Sequence, residues 1–594
     1  MNTIDGVFRE TVRNFPDSIV MRYFQADSWD HITYAEMNNA VNVIAHGLDS
    51  LGVGNESKIA IMCENRPEWI VSYISILTTG SIAVPIDAML GEVETEHILK
   101  HSAAETIICS MRTYDIISRI MSEIDTLKNI VILDSNITIR HDHNGAGEGK
   151  KLVDKSKMYN HHKKFISYDE LRELGKSRMG ESEVEFPEKS IEDLASIIYT
   201  SGTTGSPKGV MLTHRNFISN VDSTKSVLTI DNNDNFLLLL PLHHAFPFTT
   251  CFALPIARGA SISFVDIMSR SRQRLIMECR PTIMVGVPLL YSKIYKGIIR
   301  QVESSKIKSM IFNYGGKKII GKALKKKLGG MLRIMVSGAA PMDPAIIDGF
   351  VDLGIEFLEG YGLTETSPML SANIPGAIKL GSVGPPLIGV EVKIEKPDEE
   401  GIGEIVVKGD LVMQGYYNNP EQTNKVLKDG WFYTGDLGYM DEDNYIFITG
   451  RAKDVIVTRG GKNVFPEMVE NVINKSKYIS ESLVIGYRTQ GMVGEDVGVL
   501  VYPEYESIIE HAAAKGISFT EEMVADSLTE DAKDEIIGKY RTLLEQEVKN
   551  SMKQLASYQR ISRVGLERDE FTKTSTKKIK RFLYNGRLDI RDIG

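Results

Sequence analysis

Cysteine is scarce in this chain of 594 residues. Cys63, Cys109, Cys251 and Cys279 lie far apart, with no C-x-x-C pair. That excludes a disulfide framework and a thiolate zinc site, and it suits a reducing cytoplasm. Positive charge is not in excess either. The net charge is −10, so a general nucleic-acid binder is not expected. The first ten residues, MNTIDGVFRE, lack the apolar core of a secretory signal. Clean membrane-spanning runs are missing too. Residues 69–86 are uncharged but carry Ser72, Ser75, Thr78, Thr79 and Pro85; residues 235–257 carry His243, His244 and three prolines. A bilayer helix tolerates neither mixture, so both stretches read as buried core. No internal repeat and no heptad run is present.

What is present belongs to a large globular protein. Apolar content of 42% and charged content of 25% are ordinary for that class, and the length demands two or more domains. Helical and strand signals alternate in the first part. A helix is expected from Thr33 to about Leu51, a strand over Lys58 to Met62, a helix over Glu68 to Thr79 and a strand over Ile82 to Ile86. Such alternation implies a parallel sheet covered by helices. Residues 140–164 break the pattern and read as a surface insertion. Its histidines His141, His143, His161 and His162 match no zinc spacing. Further on, Val406-Val407-Lys408 and Tyr445 to Ile448 look like strands of a smaller β unit. The charged stretch Arg451-Ala452-Lys453-Asp454 then opens a compact α/β region. The expected domains are therefore 1–450 and 451–594, with Lys453 as the hinge.

The densest chemistry lies in Tyr199-Thr200-Ser201-Gly202-Thr203-Thr204-Gly205-Ser206-Pro207-Lys208-Gly209, directly after the apolar run Leu194 to Ile198. Glycines let backbone amides approach an anion, hydroxyls add donors and the lysine adds a point charge. A chain cradles a polyphosphate in this way. A Walker loop is excluded, because the position five after Gly202 is Pro207.

Five further motifs follow in order: Leu240-Pro241-Leu242-His243-His244-Ala245-Phe246; Ser337-Gly338-Ala339-Ala340-Pro341; Glu359-Gly360-Tyr361-Gly362-Leu363-Thr364-Glu365-Thr366; Tyr433-Thr434-Gly435-Asp436-Leu437-Gly438; and Gly450-Arg451-Ala452-Lys453-Asp454. With the phosphate loop they resemble the adenylate-forming superfamily of acyl-CoA synthetases, luciferases and peptide-synthetase adenylation domains, over nearly the whole chain. The resemblance implies an α/β fold. A large N-terminal domain of several helix-covered sheets and a small β unit would be joined to a small mobile α/β C-terminal domain. It also implies a two-step reaction with ATP, Mg²⁺ and coenzyme A: a carboxylic acid forms an acyl-adenylate, and a thiol then displaces AMP.

On that resemblance each site residue has an expected role. Thr200, Ser201, Gly202, Thr203, Thr204, Gly205 and Lys208 would hold the β- and γ-phosphates. Tyr361 would stack on adenine beside Gly338 and Ala339. Thr364 would donate to the α-phosphate, and Glu365 would hold Mg²⁺, a cation that favours oxygen ligands. Asp436 suits two ribose hydroxyls, since a carboxylate accepts two hydrogen bonds at once. Arg451 is either a second ribose contact or a hinge salt bridge. His244 would sit near the carboxylate, and His243 receives no role. Val285-Gly286-Val287-Pro288 either lines the acyl pocket or simply packs. Relatives often show P-K-T-x-x-G-K near the C-terminus, where this chain reads Phe571-Thr572-Lys573-Thr574-Ser575-Thr576-Lys577-Lys578. Alignment on Lys573-Thr574 makes Lys578 the adenylation lysine, with Lys577 the alternative. After domain rotation Gly460, Gly461 and Lys462 would flank the pantetheine tunnel.

Resemblance to long-chain ligases at Pro241 to His244 and in the basic segment points to a medium- or long-chain fatty acid. The alternatives are an aromatic acid, a carrier-protein acceptor, a luciferase-like oxygenase and an inactive nucleotide-binding homologue. From Lys293 to Arg333 the only acid is Glu303. Within that stretch residues 317–328 form an amphipathic helix pattern, with Ile319, Ile320, Ala323, Leu324 and Leu328 on one face. It is either a peripheral membrane contact of a cytoplasmic enzyme or the solvated face of a packed helix.

Overall fold

The computed structural model describes residues 3–134, 163–181, 185–200, 207–266, 271–488, 494–514, 528–574, 578–585 and 587. The loop residues Ser201 to Gly205, the alternative lysine Lys577 and the four insertion histidines fall outside them.

The chain divides into two compact units. One holds Met1–Val392, Val406–Tyr433 and Glu442–Ile446; the other holds Lys393–Ile405, Thr434–Asp441 and Phe447–Gly594. The first unit is built on two eight-stranded sheets. In one sheet, six parallel strands run in the order Glu356–Gly362, Ile334–Ser337, Ile283–Gly286, Asn235–Leu238, Ser261–Phe264 and Ile19–Gln25. Antiparallel strands Met369–Ala372 and Ser28–Thr33 close its two edges. The other sheet runs from Lys164–Ser167 through Asn129–Ile132, Thr106–Cys109, Lys58–Met62, Ile82–Pro85 and Leu194–Thr200 in parallel. It then turns antiparallel through Lys208–Thr213 and Gly415–Tyr416.

Local sequence accounts for much of this. Thr33 caps the helix Tyr34–Ser50 in a capping box with Glu36, which fixes its start one residue after the cap. The helix Pro67–Thr78 is apolar nearly all round and carries no outward face. From Trp69 onward each of its residues is buried. Its Trp69 and Tyr73 rings stack at 5.4 Å and meet Phe248 and Phe252. One core contains these rings together with strand residues of both sheets, Ile59 and Ile108 from one, Phe236 and Ile283 from the other. Residues 69–86 and 235–257 are thus interior filling, as their composition implies. No described helix is long and apolar enough to cross a membrane.

The stretch 391–451 supplies a five-stranded sheet whose strands are shared between the two units. The second unit adds a three-stranded sheet, Ile479–Tyr487, Asp496–Pro503 and Arg563–Leu566. The helices Pro466–Ile473, Tyr505–Ala514 and Glu530–Ser551 share its apolar core.

Candidate active site

Parallel strands leave their carboxyl ends on one edge of a sheet, where loops converge and ligands bind. In the first sheet those ends lead into residues 241–246, Gly286-Val287, Gly338-Ala339 and Tyr361 to Glu365. Ser337 pairs with Glu359 across adjacent strands, so Gly338 leaves the sheet next to the end of its neighbour, where Tyr361 still pairs with Ser371. The Gly338 amide donates to the Gly286 carbonyl at 3.3 Å. A Cβ on Gly338 would stand 2.7 Å from the Phe246 ring, so glycine is needed for that approach. Ala339 follows with φ +70°, in the left-handed region. Three sequence motifs therefore meet at one sheet edge.

Glu359 lies beneath them, 5% exposed, and accepts the Met342 amide at 2.9 Å. Burial pushes its carboxyl up to about 8, partly offset by that amide. Between its ordinary value of 4.5 and 8 the folded protein keeps a proton that the unfolded chain has released, so stability falls as pH rises through that window. Glu359→Gln removes the slope. The variant should match the parent near pH 5 and melt higher at pH 8.5, by up to about 4 kcal/mol of stability. Paired thermal melts at the two pH values check this; an equal gain at both would contradict it.

The phosphate loop differs from a strand-to-helix loop. Tyr199 pairs with Gly209 and Thr200 with Lys208, so the segment closes an antiparallel hairpin. Thr200 ends one strand and Lys208 begins the next. Lys208 Nζ reaches Gln422 Oε1 at 3.3 Å and lies 5.2 Å from the Tyr416 ring centre. The Tyr416 hydroxyl donates to Glu365 Oε1 at 2.8 Å, and the Met413 amide donates to the Glu365 carbonyl at 2.8 Å. These bonds tie the Thr364–Thr366 turn of one sheet to the hairpin of the other. Asn220, on the helix His214–Lys225, holds the same turn by donating to the Thr366 carbonyl. Glu365 is half-buried, and its second carboxylate oxygen is a hard ligand suited to Mg²⁺.

Sequence reasoning missed several neighbours. His97 Nε2 contacts the Pro207 carbonyl at 3.2 Å, and His101 Nδ1 contacts the Tyr199 hydroxyl at 2.8 Å. Both lie on the helix Glu92–Ser102, one turn apart, and brace the hairpin. Burial lowers the His101 pKa, and neighbouring His97 lowers it further. The spacing of four residues was the available signal. His244 caps a short turn, and its Nε2 lies 3.0 Å from His243 Nε2. Asp87 Oδ2 stands 3.5 Å from His243. The three ligand atoms lie within 4.8 Å of one another. His243 Nε2 therefore faces both the His244 ring nitrogen and the Asp87 carboxylate, which sets the three polar groups at one point. Imidazoles suit transition metals, whereas Mg²⁺ favours oxygen ligands such as the Glu365 carboxylate.

In the second unit, Asp436 is buried and its Oδ1 pairs with Arg451 Nε at 2.9 Å. Arg451 thus forms a salt bridge, and its partner is the carboxylate expected to meet the ribose. Lys453 is exposed in the turn Ala452–Asp454. Gly460, Gly461 and Lys462 form the exposed tip joining strands Ile456–Val457 and Asn463–Val464, with Gly461 at φ +71°. Nothing lies within 4 Å of a Cβ built on Gly460. The two aligned lysines differ sharply. Lys573 is buried in ion pairs with Glu481 and Glu570. Lys578 is exposed, its amide donating to Thr574 Oγ1 at 3.1 Å. Glu467 faces it. Burial raises that carboxyl's pKa, while Arg581 and Lys578 pull it down.

Residues 8–417 match the family model described as AMP-binding enzyme. A peroxisomal long-chain acyl-CoA synthetase of Arabidopsis thaliana is 30% identical over 523 residues, which covers 83% of this chain and 71% of the relative. A long-chain-fatty-acid–CoA ligase of Mycobacterium bovis is 29% identical, covering 80% of this chain and 79% of the relative. Among solved structures, an anthranilate CoA ligase with bound anthranoyl-AMP superposes at a TM-score of 0.75 with 20% identity, covering 99% of this chain and 98% of that one. A Mycobacterium tuberculosis fatty acyl CoA synthetase gives 0.65 with 24% identity, covering 98% of both chains. At those identities the two structures speak for the fold.

Proposed function

This chain belongs to the AMP-binding enzyme family, and on that premise we propose that it ligates a medium- or long-chain fatty acid to coenzyme A. It is an AMP-forming acid–CoA ligase. In the first step a carboxylate oxygen attacks the α-phosphorus of ATP and pyrophosphate leaves. In the second, the thiol sulfur attacks the acyl carbon and AMP leaves.

The observation that carries the reading is the Lys208–Tyr416–Glu365 arrangement. It sets a cationic side chain and a carboxylate on either side of one tyrosine, beside the strand ends bearing Gly338 and Tyr361. Two anions must meet in the adenylation step, so fixed donors and positive charge lower its barrier most. Lys208 would hold the departing phosphates, and Thr364 would donate to the α-phosphate. Glu365 would hold Mg²⁺, which supplies charge neutralisation at the phosphates when bound. His244, beside His243 and Asp87, would face the acid. Asp436 and Arg451 would take the ribose. Lys578 would serve adenylation, Lys453 the hinge between domains 1–450 and 451–594, and Gly460 to Lys462 the thiol substrate. Fatty-acid specificity is supported by the names of the relatives in plants and mycobacteria. The aromatic-acid alternative draws only on a fold likeness. The four cysteines are unlinked and buried, which suits a cytoplasmic location. Peripheral membrane contact at the basic segment 317–328 would suit a substrate that dissolves in lipid.

The test is direct. The protein is incubated with ATP, Mg²⁺, coenzyme A and a panel of fatty and aromatic acids, and products are followed by mass spectrometry. AMP and fatty acyl-CoA should appear in equal amounts. AMP without thioester would point to another acceptor, preferential turnover of aromatic acids would overturn the substrate, and no AMP with any acid would overturn catalysis.

A further inference from the structure

The basic region of the first unit folds into three successive helices, Pro288–Glu303, Lys306–Asn313 and Lys317–Lys327. The third buries the larger part of its apolar face. Ile320, Leu324 and Leu328 pack against the core beneath the sheet. A Cβ on Gly321 would stand 1.7 Å from the Leu353 carbonyl oxygen, so this helix lies directly on its neighbour's backbone. Three of the five apolar residues on that face are therefore spent on the fold, while Ile319 and Ala323 stay exposed.

The middle helix is the reverse case, for none of its residues is fully buried. Ile307, Met310, Ile311 and Tyr314 follow the i, i+3, i+4, i+7 spacing of one helical face. Exposure is 69% at Ile307, 57% at Met310 and 85% at Tyr314, with Ile319 at 64% beyond the turn. Met310, Ile311, Tyr314, Gly316 and Ile319 line a shallow depression of about 430 Å³. Single exposed apolar residues need no explanation, but a contiguous helical stripe does. Exposed lysines flank it along the chain, including Lys306, Lys308, Lys318, Lys322 and Lys326.

We propose that Ile307, Met310, Tyr314 and Ile319 insert into the interface of an anionic lipid bilayer while the flanking lysines engage its headgroups. Charge selects this occupant. The whole chain carries −10 and would be repelled by an anionic surface. The stretch from Lys293 to Arg333, with its single acid, reverses that sign locally and turns this face towards the membrane. Exposed apolar side chains flanked in the chain by exposed lysines match the boundary between acyl chains and headgroups. The contact refines the membrane reading given above by centring insertion on the second helix and the turn after it, with Ile319 as the contribution of the third. It does not depend on which acid is ligated.

Flotation of the full-length protein with phosphatidylcholine vesicles, with and without one-third phosphatidylglycerol, tests the assignment. Binding should require phosphatidylglycerol and weaken with salt, because the screening length is ~10 Å at 0.1 M ionic strength. The triple variant Ile307→Ser, Met310→Ser, Tyr314→Ser should bind about tenfold more weakly or less, as should Lys318→Gln, Lys322→Gln, Lys326→Gln. Both should keep the parent's melting temperature and its turnover of a water-soluble short acid. Equal binding by the apolar variant would overturn insertion, and equal binding to pure phosphatidylcholine would overturn the headgroup contact. A self-association that the apolar variant abolishes, without vesicle binding by the parent, would assign the face to a second copy instead. Failure here leaves ligation in solution intact, so the two readings fail separately.

Discussion

Replacing Lys578 by alanine should slow acyl-adenylate formation about 100- to 1,000-fold, the scale set by losing one charged donor to a developing phosphate transition state. Conversion of supplied acyl-adenylate to thioester should stay within roughly threefold, because that step forms no bond at phosphorus. The geometry favours a clean result. Lys578 is exposed, so truncation leaves no cavity and the melting temperature should hold. Lys573 gives the contrasting control. Its ammonium is buried between Glu481 and Glu570, and removing it strands Glu481 at low exposure. Lys573→Ala should therefore lower stability and both half-reactions together. Lys577→Ala completes the series and should leave adenylation near the parent rate. Equal loss of both half-reactions in Lys578→Ala, or full activity in it, would remove the lysine from its role.

Asp436→Ala should raise the KM for ATP about 10- to 100-fold, the cost of losing hydrogen bonds to a charged acceptor. The sharper readout is discrimination. A carboxylate that accepts from both ribose hydroxyls should make the parent prefer ATP over 2′-deoxy-ATP, and the variant should lose most of that preference. Stability should change less than activity, because Arg451, left behind, is about one-third exposed and can be hydrated. Arg451→Ala distinguishes the two roles of the arginine. If it only orients Asp436 through their 2.9 Å pair, discrimination should weaken in step with Asp436→Ala but to a smaller extent. Unaltered discrimination in Asp436→Ala would exclude the ribose contact.

Local features of the fold were legible in the chain. The capping box at Thr33 and Glu36, the strand Lys58–Met62 and the strand opening at Leu194 each follow from a few neighbouring residues. So does the helix Lys317–Lys327, whose amphipathic period is unmistakable. What that period did not tell was which apolar stripe would be covered. Both the second and third helices of the basic region carry one, and only the close packing of Gly321 on Leu353 takes Ile320, Leu324 and Leu328 of the third to the core.

The candidate site divides in the same way. Motif order identifies the phosphate loop, Thr364, Glu365, Asp436 and Arg451 as candidates, because each belongs to a short contiguous signature. Their partners are scattered. Tyr416 lies 51 residues from the Glu365 it bonds, and His101 lies 98 from Tyr199. Asp87 faces a histidine pair more than 150 positions away. No local pattern encodes such pairs.

By itself the sequence determined the chemistry on offer: hydroxyls, glycines and a lysine for phosphate, a carboxylate for a cation and another for a ribose. It also determined the helix and strand periods, because propensity and capping act over a few residues. Only the tertiary structure decided that the phosphate loop closes a hairpin, that Lys573 is buried while Lys578 is exposed, and which apolar helix face meets solvent. Those outcomes depend on desolvation and contact between segments far apart in the chain, and that free energy does not exist until the sheets have formed and the core between them has closed.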